Sequence, residues 1–225
     1  KDYVLLHLPG WLAPRVHPFR EITWQPGPAK PLLPPDKRPP NIVLILADDL
    51  GFNDISFNGG GVARGLLKTP NIDAIGHQGV SFAQAYAGNA TCAPSRASLL
   101  TGRYPTRFGF EFTPTDTRLA RTIAGFPSDW RYKTILDQQA VDNDPPHTTK
   151  GIPPGERTIA DLLRTGGYHS IHLGKWHLGG EKGMRPEERG FDESLGFIIG
   201  GQMYARENDP NVVNSKQDFD PIDKY

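Results

Sequence analysis

Cysteine is almost absent from this chain: Cys92 is the only one in 225 residues. No intramolecular disulfide can form, and cysteine usage assigns no redox compartment. An excess of one charge is missing too, because Lys+Arg and Asp+Glu are both 25. That balance leaves no basic field to attract nucleic acid or an anionic membrane surface. Long apolar runs are lacking, and the longest, IVLILA at 42–47, falls far short of the roughly 20 residues that span a bilayer. The sequence opens on Lys1 with no visible signal peptide, and is expected to be a processed, trimmed or partial form of a longer chain.

Proline and glycine, by contrast, are plentiful. There are 22 prolines and 25 glycines, and the proline share is about twice the usual ~5%. PGPAKPLLPPDKRPP at 26–40 reads as extended, polyproline-like chain, so residues 1–40 are expected to be an arm or linker. NIVLILA (41–47) is apolar on both faces and β-branched, which suits a central strand of a covered parallel sheet. TPNIDAIGHQG (69–79) reads as a helix closed by Gly79, and VSFAQAYA (80–87) as a strand. Pro94 near its start and Gly102 at its end delimit a helix over 93–102, with Cys92 at or just before its N-terminus. Residues 111–150 lack periodicity and are expected to be a surface insertion. Thr158 and Asp161 form a capping pair for a helix within 156–167, and YHSIHLG (168–174) reads as a strand. Residues 201–225 are polar and irregular. The alternation of strands and helices predicts an α/β fold.

Three clusters have chemical potential. Asp48-Asp49 follows the predicted strand at 41–47; adjacent carboxylates suit a hard divalent cation, or else an exposed turn. Cys92 at a helix start would be acidified by the helix dipole, and Arg96 one turn later offers planar donors to a tetrahedral oxyanion. Those two alone fit either a reactive thiolate of the phosphatase kind or a buried structural cysteine. Lys175 and His177 share the Gly-flanked loop GKWHLGG. On an extended backbone both face one side, giving an anion binder and a proton carrier; a solvated loop is the plainer alternative. His169 and His172 read as structural. Asn89-Ala90-Thr91 is a glycosylation sequon that lies beside Cys92, where a glycan would obstruct the site.

Taken together, the motifs resemble the type I sulfatases of the alkaline phosphatase-like superfamily. C-A-P-S-R-A-S-L-L-T-G-R (92–103) matches that family's first signature. G-Y-H-S-I-H-L-G-K-W-H-L-G (167–179) matches its second, with Ser170 where Thr is usual. N-I-V-L-I-L-A-D-D-L-G (41–51) resembles its first strand and metal-binding pair, and G-F-D (190–192) also recurs. The resemblance implies a mainly parallel sheet covered by helices on both faces, incomplete here, with residues 41–225 as the N-terminal portion of the catalytic domain. It also implies that a sulfatase-maturing, formylglycine-generating enzyme oxidises Cys92 to formylglycine. Hydrated, that residue would attack sulfur, release the alcohol, then expel sulfate to restore the aldehyde. Asp48, Asp49 and modified Cys92 would ligate calcium or magnesium; Arg96 would hold the formylglycine, Lys175 the sulfate, and His177 the second hydroxyl. An exported location follows from the same resemblance. The expected activity is hydrolysis of aryl or carbohydrate sulfates. A phosphate or phosphonate ester hydrolase of the same superfamily, or an inactive binding homologue, are the alternatives. Family members add a further metal pair and another Lys and His from later strands that this sequence does not contain, so the isolated chain is expected to be inactive.

Overall fold

The computed structural model describes residues 34–125 and 135–201. The proline-rich arm up to residue 33, residues 126–134 and the polar tail 202–225 lie outside the described residues. The chain divides into two compact units, one formed by the described residues through Ala85 and the other from Tyr86 onward.

The first unit differs most from expectation. Residues 41–47 form no strand, and Val43 and Ile45 are 82% and 78% exposed. An apolar run becomes a central strand only when ladders flank it and layers cover both faces. Among the described residues no strand pairs with it. The run bends at Asp48 and Asp49, and Asp49 takes φ 52°. Helix α1, Pro70–Gln78, forms as expected, with Pro in its first turn. Asp73 ties it down by accepting from Ser56 Oγ at 2.5 Å, Thr69 Oγ1 at 2.7 Å and Phe57 N at 2.9 Å. The Ser56 hydrogen bond leads in holding the Asp73 carboxyl below its ordinary range. Gly76 lets the Phe57 ring approach, since a Cβ there would stand 2.8 Å from it. Residues 80–87 are exposed and unpaired into any sheet, contrary to the strand expected there.

In the second unit the local signals were decisive. Helix α2, Cys92–Thr101, starts at the cysteine and stops at Gly102, whose φ of 65° few other residues accept. Its small residues Ala93 and Ala97 are fully buried, because the helix packs closely on Phe110, Ile152, Trp176 and Leu178. Two further helices, α3 (Thr117–Ala124) and α4 (Gln138–Asp142), interrupt the stretch read as an irregular insertion. Helix α5, Ile159–Thr165, has the expected capping box between Thr158 and Asp161. Strand β1, Ile171–Lys175, pairs in parallel with β2, Glu193–Phe197, in the register Ile171↔Glu193 to Lys175↔Phe197. Gly174 and Gly196 stand opposite each other; a Cβ on Gly196 would strike the Gly174 carbonyl oxygen. Parallel strands need a crossover, which here holds the turn Pro186–Arg189. These elements define an α/β fold, with a two-stranded sheet among the described residues.

Candidate active site

Cys92, Arg96, Lys175 and His177 come together in the second unit. Asn89 Oδ1 accepts from Thr91 N at 2.9 Å and Thr91 Oγ1 at 3.0 Å, a turn that sets the start of α2. Cys92 is the first helical residue and half-buried. Its Sγ lies 3.3 Å from His177 Nδ1 and 3.9 Å from Thr113 Oγ1. The parallel ladder continues past β1, because Trp176 N donates to Phe197 O at 2.9 Å and His177 N to Ile198 O at 3.0 Å. His177 itself takes φ 60°, a left-handed conformation that is uncommon outside glycine. Gly200 backs its imidazole: a Cβ there would lie 2.8 Å from Cε1.

Lys175 ends β1 and is only 9% exposed. Between Lys175 and His177, Trp176 is buried in the core, with Nε1 donating to Met184 O at 2.9 Å. Lys175 is buried as Trp176 is, and the left-handed backbone at His177 breaks the extended conformation on which the side chains of 175 and 177 were expected to face one side. Arg96 Nη1 donates to Lys175 O at 2.7 Å. The guanidinium, read from the sequence as an oxyanion partner, also fastens α2 to the end of β1. The G-F-D stretch has a clear structural role, in which Phe191 meets Trp176 edge-on at 6.0 Å and Asp192 accepts from Ser170 N at 2.7 Å. His169 bonds Glu193 at 2.7 Å, and His172 sits edge-on to Trp176 and Phe191 at 5.2 and 5.5 Å. Burial pushes the His172 pKa down.

Asp48 and Asp49 belong to the other unit. Among the described residues no group of three His, Cys, Asp or Glu side chains is gathered to hold a metal. In kind the aspartate pair fits calcium or magnesium, since both ions favour carboxylate oxygens; in number two carboxylates are fewer than the 6–8 oxygens calcium takes. Sequence reasoning missed Asn89, Thr113 and Gly200. Asn89 was visible only as a sequon, although Asn-x-Thr is equally a turn signal. Its Nδ2 donates to Glu111 O at 3.3 Å, a bond that a glycan on this nitrogen would have to share or break.

The Sulfatase family model matches residues 40–225, and the chain belongs to that family. It is 38% identical over 159 residues to the N-acetylgalactosamine-6-sulfatase of Mus musculus, covering 71% of this chain and 26% of that protein. With the Steryl-sulfatase of Mus musculus it shares 36% over 177 residues, 76% of this chain and 23% of the relative. A solved structure of Ps i-CgsB in complex with k-i-k-neocarrahexaose shares 36% identity at a TM-score of 0.54, covering 73% of this chain and 29% of that one. The chain thus spans about a quarter of the length of the curated relatives it matches, 26% and 23% for these two. Among the described residues no helix is long and apolar enough to cross a membrane.

Proposed function

We propose that this chain contributes the nucleophile-bearing part of a sulfatase that hydrolyses carbohydrate sulfate esters to alcohol and inorganic sulfate. The observation that supports this most is the meeting of Cys92 Sγ and His177 Nδ1 at 3.3 Å, beside Lys175 and Arg96. The carbohydrate class is favoured because one relative is named for N-acetylgalactosamine and another is described with neocarrahexaose bound. Cys92, once oxidised to formylglycine by a maturing enzyme and hydrated, supplies an oxygen nucleophile. Asp48 and Asp49 would hold a divalent cation, whose chemistry would be to stabilise developing negative charge.

The remaining work falls to side chains. His177 presents Nδ1 to position 92, the place from which a hydroxyl proton must be taken and returned. Lys175 offers an ammonium to a sulfate oxygen from a poorly solvated position, where a charge interaction is stronger than in water. Arg96 fixes the start of α2 against β1, so the nucleophile and the proton carrier keep their spacing. The test is turnover of 4-nitrophenyl sulfate and 4-nitrophenyl phosphate by the natural-length protein made with a maturing enzyme. Faster sulfate hydrolysis that a chelator abolishes is expected. Faster phosphate hydrolysis would move the protein to the phosphoesterases of the superfamily, and no turnover of either would favour a binding homologue.

A further inference from the structure

Asn89 joins two segments that meet at the nucleophile position. Its Oδ1 accepts from Thr91 N at 2.9 Å and Thr91 Oγ1 at 3.0 Å, at the entry to α2. Its Nδ2 donates to Glu111 O at 3.3 Å. One side chain therefore holds both the start of the helix that carries Cys92 and the segment that carries Thr113. Gly88 lets the asparagine reach this place, because a Cβ there would overlap Ser98 Oγ on α2.

Thr113 is half-buried, with Oγ1 3.9 Å from Cys92 Sγ. Its placement is constrained from both sides. Two residues earlier stands the Asn89 bond to Glu111 O. Three residues earlier Phe110 is buried in the core, its N donating to Pro105 O at 3.1 Å. Pro114 follows, and a residue before proline is held to extended backbone. A β-branched side chain then has few χ1 choices. The position-92 side chain is thus met by His177 from the loop after β1 and by Thr113 from a separate segment. A thiol offers one weak donor, and 3.9 Å is near the outer reach of a sulfur contact. A hydrated formylglycine carries two hydroxyls on Cβ, which need two sets of partners and fill more of that space.

We propose that Thr113 is a catalytic residue that hydrogen-bonds one hydroxyl of the hydrated formylglycine while His177 serves the other, and that Asn89 is the positioning residue that keeps Thr113 in register with α2. The proposal rests on the sulfatase reading for the conversion of Cys92. Hydration adds water across the aldehyde, its oxygen bonding to Cβ and a proton passing to the carbonyl oxygen. The Thr113 hydrogen bond favours this diol over the free aldehyde.

The test uses the natural-length protein made with a maturing enzyme, with conversion read from the mass of the peptide containing Cys92. The folded protein is treated with an aminooxy dye, which condenses with the aldehyde and releases water. Thr113→Val, similar in shape but without the hydroxyl, should label roughly fivefold faster per converted chain. Its kcat on 4-nitrophenyl sulfate should fall about tenfold with KM little changed. Thr113→Ser should restore both. Asn89→Asp keeps the acceptor for Thr91 but loses the donor to Glu111 O, and should shift labelling and kcat in the same directions as Thr113→Val. Full conversion with parental labelling in Thr113→Val, or Thr113→Ser behaving as Val does, would overturn the role of Thr113 alone. Parental labelling in Asn89→Asp would overturn the role of Asn89. Position 92 found only as free thiol would overturn the proposal together with the conversion. Faster labelling of Thr113→Val in a protein that turns over no sulfate ester upholds the contact with residue 92 and removes only the hydrolase reading.

Discussion

His177 is placed by three independent constraints: its N–H on Ile198 O, the wall made by Gly200, and a φ of 60°. Asparagine tolerates that backbone conformation nearly as well but carries no titratable nitrogen. His177→Asn is therefore expected to melt within a few degrees of the parent while activity falls about a hundredfold or more. Parallel measurement of melting temperature and of turnover of 4-nitrophenyl sulfate checks this, and a variant with near-parental turnover would remove His177 from proton transfer. His172 has a different role. Burial, opposed by a hydrogen bond with the Lys175 backbone, lowers its pKa from the ordinary 6.5. Above that ordinary value the residue is neutral in both folded and unfolded chains. As pH falls below it the unfolded chain takes the proton first, so stability declines. Melting temperature should drop as pH falls below about 6.5, and His172→Gln should flatten that part of the profile. An unchanged slope would mean other groups cause it.

At the scale of elements, the β1–β2 ladder positions the site, and its tightest point is Gly196 against Gly174. Gly196→Ala forces a methyl group into a backbone carbonyl and should cost about 1–3 kcal/mol, with activity falling because the ladder carries Lys175 and His177. Denaturant melts resolve a loss of that size, and an unaltered midpoint would show that the ladder can yield there. Elements were legible where the signal is local. Pro94 with Gly102, and Thr158 with Asp161, mark helix ends through bonds made within a few residues, and both helices formed where those residues stand. Cys92, Arg96, Lys175 and His177 were legible as motifs, and the fold brings them together. What failed is non-local. IVLILA has the composition of a central strand, but composition cannot supply a ladder partner. β2, hidden in ESLGFIIG, was missed because its pairing with β1 depends on a crossover that no short window contains.

For the whole molecule, the exposed run Ile42–Leu46 is the feature least compatible with a protein at rest in water. This chain alone is expected to bind the dye ANS strongly and to associate with itself, and threonine at Val43 and Ile45, its two most exposed residues, should reduce both effects. Dye fluorescence and light scattering measure this, and equal dye binding by the double variant would place the sticky surface elsewhere. More broadly, the Cys92 thiol is proposed to be a precursor, converted before it meets a substrate and then served by His177, Lys175 and Arg96. The most direct measurement is the mass of the tryptic peptide 69–96, which contains Cys92, from protein produced with a competent maturing enzyme. The expected result is a lighter peptide whose thiol has become an aldehyde and which reacts with a carbonyl reagent. A peptide found only as free thiol under those conditions would contradict the conversion.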